Sequence, residues 1–169
     1  MKTTSKMSLV LAVMTTAAVL PSKANAQTIS ASASVQQALA VAGTRDLAFG
    51  AAFPGTTRSI LTSDAANSGY FTVTGAANAE INFQFGAPPA NLTFGANNLP
   101  VTFSAAYSLV NTGASQTAFA TSFITQQTSR LDATNGWLYV FVGGSVSPTT
   151  QVAGAYTGTV SLTAAYTGN

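Results

Sequence analysis

The sequence predicts an all-β protein, and three observations carry that expectation. Apolar and polar side chains alternate strictly along several segments, Gly, Pro and Asn turns separate the segments at intervals of roughly 8 to 15 residues, and no sustained helical period occurs after Ala26. About eight short strands of this kind fit an antiparallel β-sandwich, with a small closed β-barrel as the second choice.

Along the chain, Thr28 to Val35 comes first: Ile29, Ala31, Ala33 and Val35 share one side, and Thr28, Ser30, Ser32 and Ser34 the other, the pattern of a half-buried strand. Gln36 to Val41 fits either a helix or an extended segment. Leu47-Ala48-Phe49-Gly50 reads as a short apolar strand, and Phe53-Pro54-Gly55 as a turn in which Pro presets φ and Gly accepts a positive value. After the turn at Asn67-Ser68-Gly69, Phe71 and Val73 face opposite to Tyr70, Thr72 and Thr74. Ile81, Phe83 and Phe85 alternate with polar residues up to Gly86-Ala87-Pro88-Pro89, where proline removes ladder donors.

Leu92-Thr93-Phe94-Gly95 echoes residues 47–50. Val101, Phe103, Ala105, Tyr107 and Leu109 form the inward set of a longer strand, and residues 115–130 read as a long connection with some extended structure. Trp137 to Val142 is apolar on both faces, as suits a central strand that Gly143-Gly144 ends. Gly154 to Tyr166 carries the longest alternation. The expected core is Phe49, Phe71, Val73, Ile81, Phe83, Phe103, Tyr107, Trp137, Tyr139, Phe141, Val160 and Leu162.

The amino terminus has the form of a cleaved leader. Lys2 and Lys6 precede the uncharged run Met7 to Leu20, and Ala24 and Ala26 supply the small side chains of a cleavage site, so residues 1–26 are expected to be a signal peptide and residues 27–169 a single domain. The run is shorter than the ~20 residues a membrane-spanning helix requires, and no later stretch is long and apolar enough, so no integral membrane segment is expected. An exported protein, in the periplasm, on the cell surface or outside the cell, follows from the leader.

All three lysines lie in that leader. The remainder carries Arg45, Arg58 and Arg130 against Asp46, Asp64, Glu80 and Asp132, a net charge of −1. Three scattered arginines cannot neutralise a phosphate backbone, which argues against nucleic acid as a partner.

Histidine and cysteine are absent, and lysine is confined to the leader. That removes the Ser-His-Asp, Cys-His and Ser-Lys arrangements, Schiff-base chemistry and the usual zinc ligands. The four carboxylates could in principle supply a glycosidase pair. Three of them sit in or beside turns and Glu80 begins a strand, so no catalytic residue, cofactor or metal site is expected. Asp64 with Asn67 and Asp132 with Asn135 read as side-chain-capped turns rather than calcium ligands. The single tryptophan, Trp137, reads as core, because a sugar platform needs a solvent face.

Three segments together resemble a family of exported bacterial β-sandwich proteins of unknown function, similar in pattern to spore coat protein U and to chaperone-usher fimbrial subunits. They are the small-residue strand Thr28 to Val35, the run Arg45 to Gly50 leading to Pro54-Gly55, and the ending Ala153 to Leu162. The motif positions are Leu47, Phe49, Gly50, Pro54 and Gly55 in one segment, and Gly154, Tyr156, Gly158 and Val160 in the other. The resemblance implies an immunoglobulin-like fold and a coat or fimbrial role, without an active site.

An alternating segment at a free end can also add a strand to the open edge of a neighbouring copy, main-chain bonds giving affinity and alternate side chains specificity. Ile29, Ala31, Ala33 and Val35 would be the inserted set; the competing expectation is that they belong to the first strand of their own domain. The function expected is therefore that of a structural surface protein whose partners are copies of itself or other surface subunits. A secreted carbohydrate-binding module, stacking sugars on Tyr70 or Tyr107, is the alternative.

Overall fold

Strand-forming alternation becomes ten strands in the computed structural model, which describes residues 27–33, 35, 37–113, 115–119 and 122–168. The expected leader lies outside the described residues. The chain divides into two units, Met1–Ser34 and Val35–Asn169, and every strand belongs to the second. In order they are β1 (Ala40–Arg45), β2 (Arg58–Ile60), β3 (Gly69–Thr74), β4 (Glu80–Phe85), β5 (Asn91–Phe94), β6 (Asn97–Ser108), β7 (Thr117–Ala118), β8 (Gln127–Arg130), β9 (Trp137–Val146) and β10 (Leu162–Tyr166). The described residues contain no helix, and every strand pairing is antiparallel. The all-β expectation holds.

The larger sheet runs β1-β3-β9-β6-β5, with β2 continuing along β9 beyond β3 and β7 pairing with the far end of β6. The smaller sheet is β10-β4-β8. Their inner faces share one core. Val73, Ala105, Leu138, Val140 and Val142 come from the larger sheet, Ile81, Phe83, Phe85 and Leu162 from the smaller, and Leu131 closes the set. Because successive side chains in a strand point to opposite faces, one face of each strand supplies this core. Aromatic contacts knit it further: Phe83 meets Tyr107 edge-on at 5.2 Å, and Phe85 stacks on Phe123 at 4.2 Å.

Several local expectations give way to tertiary context. The described residues of Thr28 to Val35 form no strand and are exposed, Ser34 lying outside them; alternation dictates how a strand would face but does not supply an edge for it to join. Leu47 to Gly50 also joins no ladder, because Gly50 turns at φ +67°. Gly143-Gly144 does not end β9, which runs on to Val146 because β2 and β6 hold both of its edges. A Cβ at Gly144 would clash with the Thr102 carbonyl of β6 and lie 3.3 Å from the Phe49 ring, so the glycine permits the close approach of both. Only the last five residues of the Gly154–Tyr166 alternation form a strand, Leu109 lies exposed beyond β6, and ten strands replace the expected eight.

One aromatic assignment holds and another changes. Tyr107, expected in the core, packs inward on Phe83 and is half-buried. Trp137 is not core: it is 44% exposed, on the face of β9 opposite Leu138, Val140 and Val142. The double apolarity of β9 was visible in sequence, but its outward half is covered only around Tyr139 and Phe141.

Candidate functional site: an open groove on the larger sheet

The smaller sheet is narrower than the surface it faces. Beyond the shared core, the inner face of the larger sheet carries a second cluster of Leu92, Leu99, Val101 and Val146, against which Phe49, Ala52, Phe103 and Tyr156 pack. No residue of the smaller sheet belongs to it. Two irregular segments, residues 46–54 and 148–160, border this surface and leave an open groove of about 1050 Å³ between them.

The first wall is held at a few points. Ala48 donates its N–H to the Asn67 carbonyl at 2.9 Å, the Phe49 carbonyl accepts from Arg58 Nε at 3.0 Å, and Gly55 donates to the Pro148 carbonyl at 2.8 Å. Gly50 and Gly55 adopt φ of +67° and +79°, which L side chains rarely tolerate, so glycine is required at both turns. The Asn67 end is itself braced. Asp64 accepts hydrogen bonds from Ala66 N, Asn67 N and Asn67 Nδ2, and Arg45 donates to Ser68 O, Ser68 Oγ and Ala65 O while lying 4.8 Å over the Tyr70 ring. The Asn67 side chain, then the Ala66 and Asn67 N–H groups, hold the Asp64 carboxyl below the usual carboxylate range.

The second wall is built by close approach. Thr157 exchanges two main-chain bonds with Thr93 of β5, at 2.8 and 3.0 Å. The Phe94 ring lies against Gly154 so tightly that no Cβ fits there, and at Gly158 a Cβ would come 2.8 Å from the Leu92 side chain. Tyr156 packs on Phe94 at 5.8 Å and donates its hydroxyl to the Val152 carbonyl at 2.8 Å. At Ser161, whose carbonyl accepts from Gly86, the chain passes to the smaller sheet.

In a paired extended chain, successive residues direct their main-chain groups to opposite sides. Thr157 bonds toward β5, so those of Gly158 are directed away from it. Among the described residues, Gly158 to Val160 make no main-chain hydrogen bond.

The two sequence motifs therefore converge. Leu47, Phe49, Gly50 and Pro54 line one wall, Gly154, Tyr156, Gly158 and Val160 the other, and Gly55 pins the first wall to Pro148. Phe53 and Val152, 67% and 57% exposed, add apolar surface to the lining. Of the floor residues Leu92, Leu99 and Phe103, only Phe103 was legible as an inward strand side chain; Leu92 and Leu99 are buried where Phe49, Ala52 and Tyr156 pack against their cluster. Ile29 and Val35, in the candidate assembly segment, are 96% and 99% exposed, and Ala31 and Ala33 are exposed too.

Asp64 and Asp132 each accept two turn N–H groups, as side-chain-capped turns do, and Glu80 lies 3.9 Å from Arg130 at the surface. Among the described residues, no three metal-ligating side chains come together, and no helix is long and apolar enough to cross a membrane. Searches against family models and against curated proteins find no match to this chain.

Proposed function

We propose that this chain is an exported, non-catalytic structural protein that assembles by β-strand pairing. Its leader directs it to the periplasm, the cell surface or the exterior, and its partners are copies of itself or similar surface subunits. The observation that carries the reading is an open apolar groove, walled by the two sequence motifs, in a chain that also has an exposed alternating segment. Laid into the groove of another copy, residues 28–35 would span about 26 Å as a strand. The inserted set would be Ile29, Ala31, Ala33 and Val35, with main-chain groups available to the free edge at Gly158 and Val160. Full burial of each large aliphatic side chain stabilises by about 1.5–3 kcal/mol, and no charged residue in residues 27–36 opposes it.

The test compares the chain beginning at Gln27 with one lacking residues 27–36. The longer chain forms polymers by size-exclusion chromatography and electron microscopy, and the shorter one remains a folded monomer. A synthetic peptide of residues 27–36 added to the shorter chain raises its melting temperature by several degrees, since a ligand at a hundred times its Kd adds about 2.7 kcal/mol. Monomers at every concentration, with no shift from the peptide, would sink the proposal.

A further inference from the structure

Trp137 needs an explanation that the core does not provide. It opens β9 on the outer face of the larger sheet, where Tyr139 and Phe141 follow it. Those two are buried, and Tyr70 packs on them at 6.3 and 5.8 Å. The indole instead lies partly exposed, with Tyr139 edge-on at 6.2 Å and 90°. Such a ring offers an apolar face to solvent on which a ligand can stack.

Polar groups flank it on fixed backbone. Thr74 of β3 is its cross-strand partner, and such partners share a face. On the other side the turn is closed tightly: Asp132 N donates to the Trp137 carbonyl, and Gly136 N to the Asp132 carbonyl, both at 2.9 Å. Asp132 Oδ1 accepts from Thr134 N at 3.0 Å and from Asn135 N at 2.7 Å, which orients the carboxylate. Among the described residues, no donor reaches Oδ2.

Charge narrows the class of ligand. Arg45, a cation of this face, spends its guanidinium on Ser68, Ala65 and the Tyr70 ring, while the polar residues paired or bonded to Trp137 through the backbone are Thr74 and Asp132. Anionic ligands are therefore disfavoured. A lipid surface finds too little to bury, because Tyr139 and Phe141 are already covered. What suits one rigid aromatic face rimmed by a hydroxyl and a carboxylate acceptor is a neutral sugar, which has an apolar C–H face and a rim of hydroxyl donors.

We propose that the outer face of the larger sheet binds a neutral β-linked chain of glucose or N-acetylglucosamine, stacked on Trp137 and hydrogen-bonded by Asp132 and Thr74. In these sugars the ring substituents are equatorial, so axial hydrogens cover the face that meets the indole. The site is separate from the groove and does not depend on assembly.

Trp137 is the only tryptophan, so its fluorescence reports stacking directly. Titrating the intact protein with cellohexaose or chitohexaose should give a saturable change in emission, while hexagalacturonate, an anionic chain, gives none. By calorimetry, Trp137→Ala lowers the affinity at least about tenfold and Trp137→Phe less. Asp132→Asn, which keeps an oxygen for the turn N–H groups, lowers it several-fold. The proposal is overturned if neither neutral hexasaccharide alters the emission up to millimolar concentration, if Trp137→Ala binds as tightly as the parent, or if the anionic chain binds more tightly than both.

Discussion

The two halves of β9 sit in the same sheet and meet different fates. Its first half, Leu138 to Val142, lies under the smaller sheet, where Ile81, Phe83 and Phe85 complete a core of side chains drawn from both layers. Its last inward residue, Val146, is equally buried, in the second cluster, but there the cover comes from irregular segments beside the groove rather than from a strand. The same two-residue rhythm is thus covered by a second sheet at one end of β9 and by irregular segments beside the open groove at the other.

Truncation should separate the halves most sharply. Phe83→Ala removes a fully buried ring touching Tyr107 and Phe119, and is expected to cost about 3–5 kcal/mol, a large part of the ~5–15 kcal/mol typical of a domain. Phe49→Ala removes a half-buried ring over Gly144 and should cost about 1 kcal/mol. Urea denaturation of both variants checks the contrast, and equal losses would erase the distinction.

A smaller effect is expected at Tyr166. Its hydroxyl donates to the Gln37 carbonyl at 2.8 Å and accepts from Ala76 N at 2.7 Å, tying the chain just before β1 to the end of β10. Tyr166→Phe breaks both bonds, costs about 1–3 kcal/mol, and should speed hydrogen exchange at Ala76.

The smallest effect is a pH dependence at the open end. The Asp64 carboxyl is depressed in the folded state, so its contribution is present above the ordinary value of 3.8 and is lost as pH falls through the folded one. Asn67, its principal donor, also anchors the groove wall through Ala48. The stability difference between the parent and Asp64→Asn should therefore shrink below about pH 4. A difference unchanged down to pH 2 would place the anchoring elsewhere.

Much of the fold was legible because it is local. Alternation at Phe71 and Val73 and at Ile81, Phe83 and Phe85 named the inward faces correctly, and the motif glycines fell where close approach or positive φ requires them. The groove was legible only in fragments. Leu47 to Gly50 and Gly154 to Val160 stood out as patterns, but nothing in either indicated that they would face each other. Trp137 was misassigned for a related reason: the apolarity of β9 on both faces was clear, whereas the extent of cover over its outer face depends on loops distant in sequence.

Residue order alone determined the strand rhythm and the turns, which are properties of neighbours along the chain, and composition determined the small charge beyond residue 26 and the absence of histidine and cysteine. Only the tertiary structure decided which alternating segments found an edge, which apolar faces were covered and which were left open. Those outcomes depend on contacts between distant segments, since an edge or a cover exists only once another part of the chain has taken its place.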